Sequence, residues 1–370
     1  MFTLFKKVLK SIALVPMVLA LSFLGLAILM ASVEINYSDY DFLSYLVIQD
    51  KADAQFIFSF IIGGIFTLTI FSYTMVMNVL NRNINNYSPR LVPLLLSEKH
   101  HQIILGFTSG TIIYAMVLSL TTVSDSTAFY SEISAAIGVV FSIISVFLFI
   151  YFIHSVSQSI HINYILKQVY DKTEDTLLQQ DKTHHAFKIL EHIEQHKHVV
   201  KSMRLGYLHQ PNYDRLLNLL SSYGLKMSIH VLPGEFVHMG DLLFSYDNPL
   251  EASKLKNIRG CFAISNDVPL DVPEIGFKHL VEVSVKAASP ALNDPGTSKA
   301  AIDYLTQLFL VRHTIAHFEH KAMILSDQLS RPNVSNKALE DYCFLEMDRY
   351  MKDDPLLSLQ LIKARQKINA

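Results

Sequence analysis

Tryptophan is absent from the 370 residues, and cysteine occurs only twice, as Cys261 and Cys343. Without tryptophan, any aromatic belt at a membrane boundary has to be built from tyrosine and phenylalanine. Two lone thiols with no C-x-x-C spacing exclude a disulfide framework and a cysteine zinc site, and they fit a reducing compartment. Charge is sparse as well: Asp, Glu, Lys and Arg make up 17% of the chain, and the formal net charge is −2. That balance leaves no basic face large enough to track phosphates, so nucleic acid is excluded as a partner. Glycine-rich phosphate loops and G-x-S-x-G elbows are missing too.

Apolar residues are plentiful and unevenly spread. They make up 51% of the chain and concentrate before about residue 160. A bilayer core of roughly 30 Å needs about 20 apolar helical residues. Four stretches meet that length, from about Ser11 to Ala31, Gln55 to Leu80, Ile103 to Val123 and Ala135 to Ile160. None carries Asp, Glu, Lys or Arg in its central turns. The lipid bilayer is therefore the expected partner of this half. The first run is longer than a signal-peptide core and three more follow, so it reads as an uncleaved span.

Loop charge sets the expected orientation. Lys6, Lys7 and Lys10 flank the first span, and Arg82, Arg90 and Lys99 lie between spans two and three. The loop after span one carries Glu34, Asp39, Asp41, Asp50 and Asp53 against Lys51, and the loop after span three carries Asp125 and Glu132. Both termini are expected in the cytoplasm, which makes the chain a multi-pass protein of a plasma membrane. Spans two and three are rich in glycine and hydroxyl residues, among them Gly63, Gly64, Thr67, Thr69, Gly106, Gly110 and Thr111. Such residues let helices approach closely, or line a weakly polar path.

The chain after residue 160 reads as a water-soluble α+β domain with a small sheet or barrel-like element, expected to be cytoplasmic. The expected layout is a four-helix transmembrane domain over 1–160, a helical connector over 161–200, an α+β domain over 201–330 and a C-terminal helical segment over 331–370. The connector is expected to kink where charge clusters, near Asp171 to Asp181. Helices are expected over Asn212–Tyr223, Pro273–Ala288 and Thr297 to about Phe318, and strands over Met203–Leu208, Leu225–Leu232, Leu242–Tyr246 and Ile258–Ile264.

Two motifs stand out. Pro233-Gly234-Glu235-Phe236-Val237-His238-Met239-Gly240 is a P-G-x-x-V-x-x-G pattern, two glycine turns around a short strand. It resembles the hammerhead turn of biotinyl and lipoyl domains, but no hairpin lysine follows, so no covalent cofactor is expected. The second motif runs from Ser289 to Thr297, S-P-A-L-N-D-P-G-T. Its prolines force extended residues before them, and Thr297 or Ser298 is suited to cap the next helix. Read structurally, it is a rigid helix–loop–helix corner. Read functionally, Ser289, Asn293, Asp294 and Thr297 form a small-ligand or ion site near a positive helix end.

The stretch Leu280–Thr297, continued by Ala301-Ile302-Asp303, resembles the signature of the DUF2254 family of predicted bacterial membrane proteins, L-V-D-I-A-x-x-A-L-S-P-x-x-N-D-P-x-T-A followed by an I-D pair. The family is similar to this chain also in its four N-terminal spans, in the Gly206-Tyr207 segment and in the P-G-x-x-V-x-x-G turn. Its Arg-Thr…Gln-Asp element has no arginine here, where Ala263 to Asp271 stand. The resemblance implies a bacterial inner-membrane location and an architecture, not an activity.

Sixteen histidines complete the inventory. His313, His317 and His320 fall at i, i+4 and i+7 and would stack on one helix face, an arrangement that binds transition metals. His192 and His196 form a second i, i+4 pair. Neither is an H-E-x-x-H motif, and no cofactor or catalytic residue is assigned. The leading functional reading is an oligomeric channel or transporter gated by its cytoplasmic domain, with homo-oligomeric assembly expected. The alternative is a membrane-tethered sensing or assembly module without transport. An enzyme using Asp294 and a histidine ranks third, since no nucleophile–base pair is readable.

Overall fold

The computed structural model describes residues 14–32, 48, 50–86, 99–123, 132–159, 161–183, 188–190, 193–269 and 271–370. The chain divides into two compact units, one holding the apolar helices and one built on Ile162–Ala370. Most of the charged loop residues behind the orientation argument lie outside the described residues, as does His192.

The first unit contains α1 (Leu14–Ser32), α2 (Lys51–Asn86), α3 (Lys99–Val123) and α4 (Glu132–Ser159). All four are long and apolar enough to cross a membrane. Their interior is a cluster around Phe23, Phe58, Ile61, Tyr114, Leu118 and Ala135. α1 and α3 approach closely because glycine permits it. A Cβ on Gly106 would stand 2.8 Å from Pro16 Cα, and one on Gly110 would stand 2.7 Å from the Phe23 ring. Gly63 and Gly64 of α2 meet nothing within 4 Å, so small size serves packing on α3 but not there.

Hydroxyls in these helices mostly bond their own turn. Thr67, Thr69, Ser72 and Thr74 each donate to the carbonyl four residues back at 2.8–2.9 Å. In lipid, no water offers an alternative acceptor, so a helix satisfies its own polar groups. Interhelical polar contacts are fewer: Tyr114 donates to the Ser134 carbonyl at 2.9 Å, and Thr111 Oγ1 stands 3.3 Å from Ser145 Oγ.

The second unit opens with α5 (Ile162–Thr183). The expected kink near Asp171–Asp181 is not seen; α5 runs through that region. The clustered charges are no obstacle, since Lys167 pairs with Asp171 one turn away at 3.0 Å. The expectation of helix out to residue 200 also fails. Strands β1 (Lys188–Leu190) and β2 (His198–Lys201) occupy the end of that stretch.

The remaining strands are β3 (Gly206–Leu208), β4 (Met227–Ile229), β5 (Phe236–Val237), β6 (Leu242–Tyr246), β7 (Ile264–Ser265), β8 (Ala322–Ser326) and β9 (Leu329–Pro332). They form a six-stranded sheet in the order β1-β8-β9-β4-β6-β2 and a three-stranded sheet in the order β5-β3-β7. Both orders are open, and no ladder closes either sheet into a barrel among the described residues, so the barrel-like element expected from the glycine turns is two small sheets instead. Those turns do bracket a short strand. Gly234 and Gly240 sit at φ of 83° and 94° around β5, a backbone region that suits glycine. Gly206, at φ 139°, starts β3 so close to its neighbour that a Cβ would lie 2.4 Å from the Ser265 carbonyl oxygen.

Helix α6 (Tyr213–Tyr223) is capped by Asn212, whose side chain accepts from the Arg215 N–H, and ends at the left-handed Gly224. It covers the larger sheet through Leu216 and Leu220, with Met227, Ile229, Phe244 and Ile258 beneath. Ile258 belongs to α7 (Ala252–Arg259), a helix rather than the expected strand; only its last neighbours, Ile264–Ser265, are extended. A helical layer completes the unit: α8 (Pro273–Ala288), α9 (Pro295–His313), a 3-10 turn at Ala316–Glu319, α10 (Asn336–Met351) and α11 (Pro355–Ile368). α8 packs on α5, α9 and α10, and α9 packs on α5 and α11. Gly276 of α8 allows α5 in: a Cβ there would fall 1.8 Å from Thr173 Oγ1.

Candidate functional site

The S-P-A-L-N-D-P-G-T corner joins α8 to α9. Its polar groups are spent on building the turn. Ser289 Oγ donates to the Lys286 carbonyl at 2.6 Å, and the Asn293 N–H donates to the Ser289 carbonyl at 2.8 Å. Asn293 holds φ 46°, a left-handed conformation that a non-glycine residue adopts uncommonly and asparagine tolerates best. Asp294, not Thr297 or Ser298, is the N-cap. Its carboxylate accepts from the Thr297 N–H at 3.0 Å and from Thr297 Oγ1 at 2.6 Å. Pro295 then opens the helix, where a missing N–H costs nothing. Thr297 is buried, while Asn293 and Asp294 are exposed. The structure therefore brings Ser289, Asn293, Asp294 and Thr297 together as the corner's own hydrogen-bonding set.

The three histidines do not share a helix face. α9 ends at His313, Ile315 is extended, and His320 leaves the 3-10 turn with extended backbone. The i, i+4, i+7 spacing held only on the assumption of helix to residue 318. His313 Nε2 instead meets Glu340 at 2.6 Å. His196 stands in a loop before β2, 3.2 Å from Ser228 Oγ.

The densest charge in the second unit was not foreseen from the sequence. Arg312, in the last turn of α9, is fully buried. Its Nη1 donates to Glu274 at 2.9 Å, its Nε to the Asn336 side chain at 2.9 Å and its Nη2 to the Val334 carbonyl. The guanidinium lies 3.7 Å from the centre of the Phe318 ring, and Asn336 in turn donates to Glu319 at 2.9 Å. Burial draws the Arg312 pKa down, and Glu274 opposes the shift; a guanidinium remains charged at neutral pH regardless. One residue thus ties α9 to α8, to the 3-10 turn and to the start of α10.

Glu274 has a second role. It lines a small polar cleft with Gln180 of α5, Gln210, Leu232, Pro233, Val272, Arg331, Asn333 and Val334. Its opening admits about one water-sized group. Arg331 is buried here on β9, and its Nε makes no hydrogen bond within the described structure. Its guanidinium lies 5.5 Å from the Tyr213 ring centre. Burial pushes the Tyr213 hydroxyl pKa up while the neighbouring Arg331 charge pulls it back. The cleft thus presents one arginine and one carboxylate, with Arg312 bonded to Glu274 just outside its lining; a buried guanidinium favours a ligand's anionic or carbonyl tip. No local sequence signal marked either arginine, since their partners Glu274, Asn336 and Tyr213 lie far along the chain. Cys343 is buried beside this layer, and desolvation raises its thiol to about 12, which makes it inert.

Comparison with known proteins agrees with the architecture. A family model described as a predicted membrane protein, DUF2254, matches residues 10–367. An uncharacterized protein of Mycobacterium bovis and one of Mycobacterium tuberculosis are each 22% identical over 264 residues, which covers 66% of this chain and 48% of theirs. The chain spans about half the length of these curated relatives. No solved structure matches it. With the family model covering nearly the whole chain, the four apolar helices and the α+β unit together, the protein belongs to the DUF2254 family of predicted membrane proteins.

Proposed function

We propose that the chain is a membrane-anchored binding module, in which the soluble unit does the recognising and the four helices hold it at a bilayer. The observation that carries this reading is the contrast in polar chemistry. The apolar helices keep ionisable groups out of their interiors and spend most hydroxyls on their own backbone. The second unit instead buries Arg312 against Glu274 and Arg331 in the wall of the adjoining cleft, where the Arg331 Nε makes no hydrogen bond among the described residues. A cleft of that size takes the carboxylate, phosphate or amide tip of a ligand, not a whole metabolite. The asymmetry of basic and acidic loops supports an inner-membrane location with both ends of the chain in the cytoplasm.

The test is thermal unfolding of the detergent-solubilised full chain with inorganic phosphate, acetate or glutamate. A rise in Tm with one of them, lost in Arg331→Gln, is the expected outcome. Absence of any shift across such a panel argues against the cleft as a binding place.

A second reading, an oligomeric channel or transporter gated by the soluble unit, draws on the outer surfaces of the spans. Only 11% of the apolar window of α1 and 17% of that of α4 are buried, against 44% for α3. Those outer faces suit packing against further copies as well as against lipid. Ion or solute flux in proteoliposomes above that of empty vesicles favours this reading over simple anchoring.

A further inference from the structure

We infer that the outward face of α11 rests on an anionic lipid surface. The helix has two apolar faces. One is buried in the domain through Leu357, Leu361, Ala364 and Ile368. On the other side Leu356, Leu359 and Ile362 are 74%, 47% and 50% exposed. Exposed leucine and isoleucine grouped along one helix mark an interaction surface more than scattered single residues do.

Charge on the same helix identifies the partner. Its sequence, PLLSLQLIKARQKI, contains Lys363, Arg365 and Lys367 and no acidic residue. Arg365 is engaged with Asp348 of α10, so Lys363 and Lys367, both exposed, carry the free positive charge. Asp354, just before the helix, is occupied by capping the Leu356 and Leu357 N–H groups. Tyr350, at the end of α10, is 62% exposed, and beyond it the exposed Lys352 and Asp353 offset each other. An apolar strip flanked by lysines is the composition of a helix lying in the headgroup region of a bilayer.

A second copy of the chain fits less well. A two-fold pairing of this face would set a lysine-bearing, acid-free helix against itself, and like charges would oppose each other. An anionic leaflet complements it instead. The chain also brings its own membrane: α4 ends at Ser159 and the soluble unit starts at Ile162. Covalent connection to four membrane-spanning helices raises the local concentration of lipid, so a weak contact suffices.

The experiment uses the full chain reconstituted in liposomes of phosphatidylcholine alone or mixed with phosphatidylglycerol. Spin labels are placed at Leu359→Cys and Ile362→Cys; the native Cys261 and Cys343 are buried and stay unlabelled. Collision with oxygen, which concentrates in lipid, is compared with collision with a water-soluble nickel chelate. In phosphatidylglycerol-containing liposomes oxygen collisions dominate at both sites; in phosphatidylcholine alone the ratio reverses. Lys363→Glu with Lys367→Glu, both at exposed positions, reverses it in the anionic liposomes as well while leaving the Tm unchanged. Nickel-dominated collisions in both lipids overturn the inference. So does an oxygen-dominated ratio that ignores both lipid charge and the lysine substitutions. Spin–spin broadening that disappears on dilution with unlabelled protein assigns the face to a second copy and overturns it too.

Discussion

The two units satisfy many of their hydroxyls and charges differently. Among the apolar helices, Thr67, Thr69, Ser72 and Thr74 look four residues back along their own chain. In the second unit several buried polar groups reach across the sequence. Arg312 bonds Glu274 and Asn336, Ser228 Oγ meets Ser330 Oγ at 2.7 Å, and Ser284 Oγ meets Ser298 Oγ at 3.0 Å. The solvent explains the difference. A helix in lipid has to be satisfied before it meets its neighbours. A domain folding from water can leave polar groups hydrated until the partner arrives, and then depends on that partner. Polar substitutions are therefore cheap in the first unit and costly in the second.

The largest test of that contrast is Arg312→Ala. It empties a fully buried site and leaves the half-buried Glu274 without its cation, and is expected to remove about 3–5 kcal/mol from the second unit, read by denaturant unfolding of the solubilised chain. A loss under about 1 kcal/mol would mean that Glu274 finds water, and the contrast would weaken. Next comes Gly276→Ala, which drives a methyl into Thr173 and should cost about 1–3 kcal/mol. Thr173→Ala in the same chain should return part of that loss, because it removes the hydroxyl 1.8 Å away but leaves a Cβ at 2.8 Å.

Asp294→Ala removes the cap of α9 and is expected to cost about 1 kcal/mol, with Asp294→Asn close to neutral because asparagine caps as well. That pair also separates the corner's two roles. If Asp294→Asn abolishes binding of a ligand without lowering Tm, the exposed carboxylate does more than cap. The smallest effect belongs to the first unit. Thr67→Val and Thr69→Val should each change stability by under about 0.6 kcal/mol, measured by unfolding in mixed micelles. A larger loss at either would indicate a polar partner beyond the helix's own carbonyls.

Much of the local structure was readable from residue order. The helix from Pro273 to Ala288 and the strand from Leu242 to Tyr246 were legible to the residue, because a proline start and a short apolar run after a glycine turn are local signals. Asn212 and Gly224 marked α6 for the same reason. Strands β1, β2, β8 and β9 were not legible. They are three to five residues long and become strands only by pairing. β9, for instance, lies parallel to β4, with Leu329 opposite Met227. The segment 258–264 misled because a buried Ile258 and nearby apolar residues suit a short strand as well as the end of a helix. The histidine stack failed on a boundary: its spacing was sound, but α9 stops at His313.

What the sequence alone determined is the division of the chain between two solvents. Long runs of uncharged apolar residues are excluded from water whatever they pack against, so the four membrane helices follow from composition and length. What only the tertiary structure decided is where charge is buried. Arg312 and Arg331 look like any surface arginine along the chain, and their meaning depends on Glu274 and Asn336 and on Tyr213, which folding brings from distant positions. Desolvation is a property of assembled neighbours, and a residue carries no record of it in its own position.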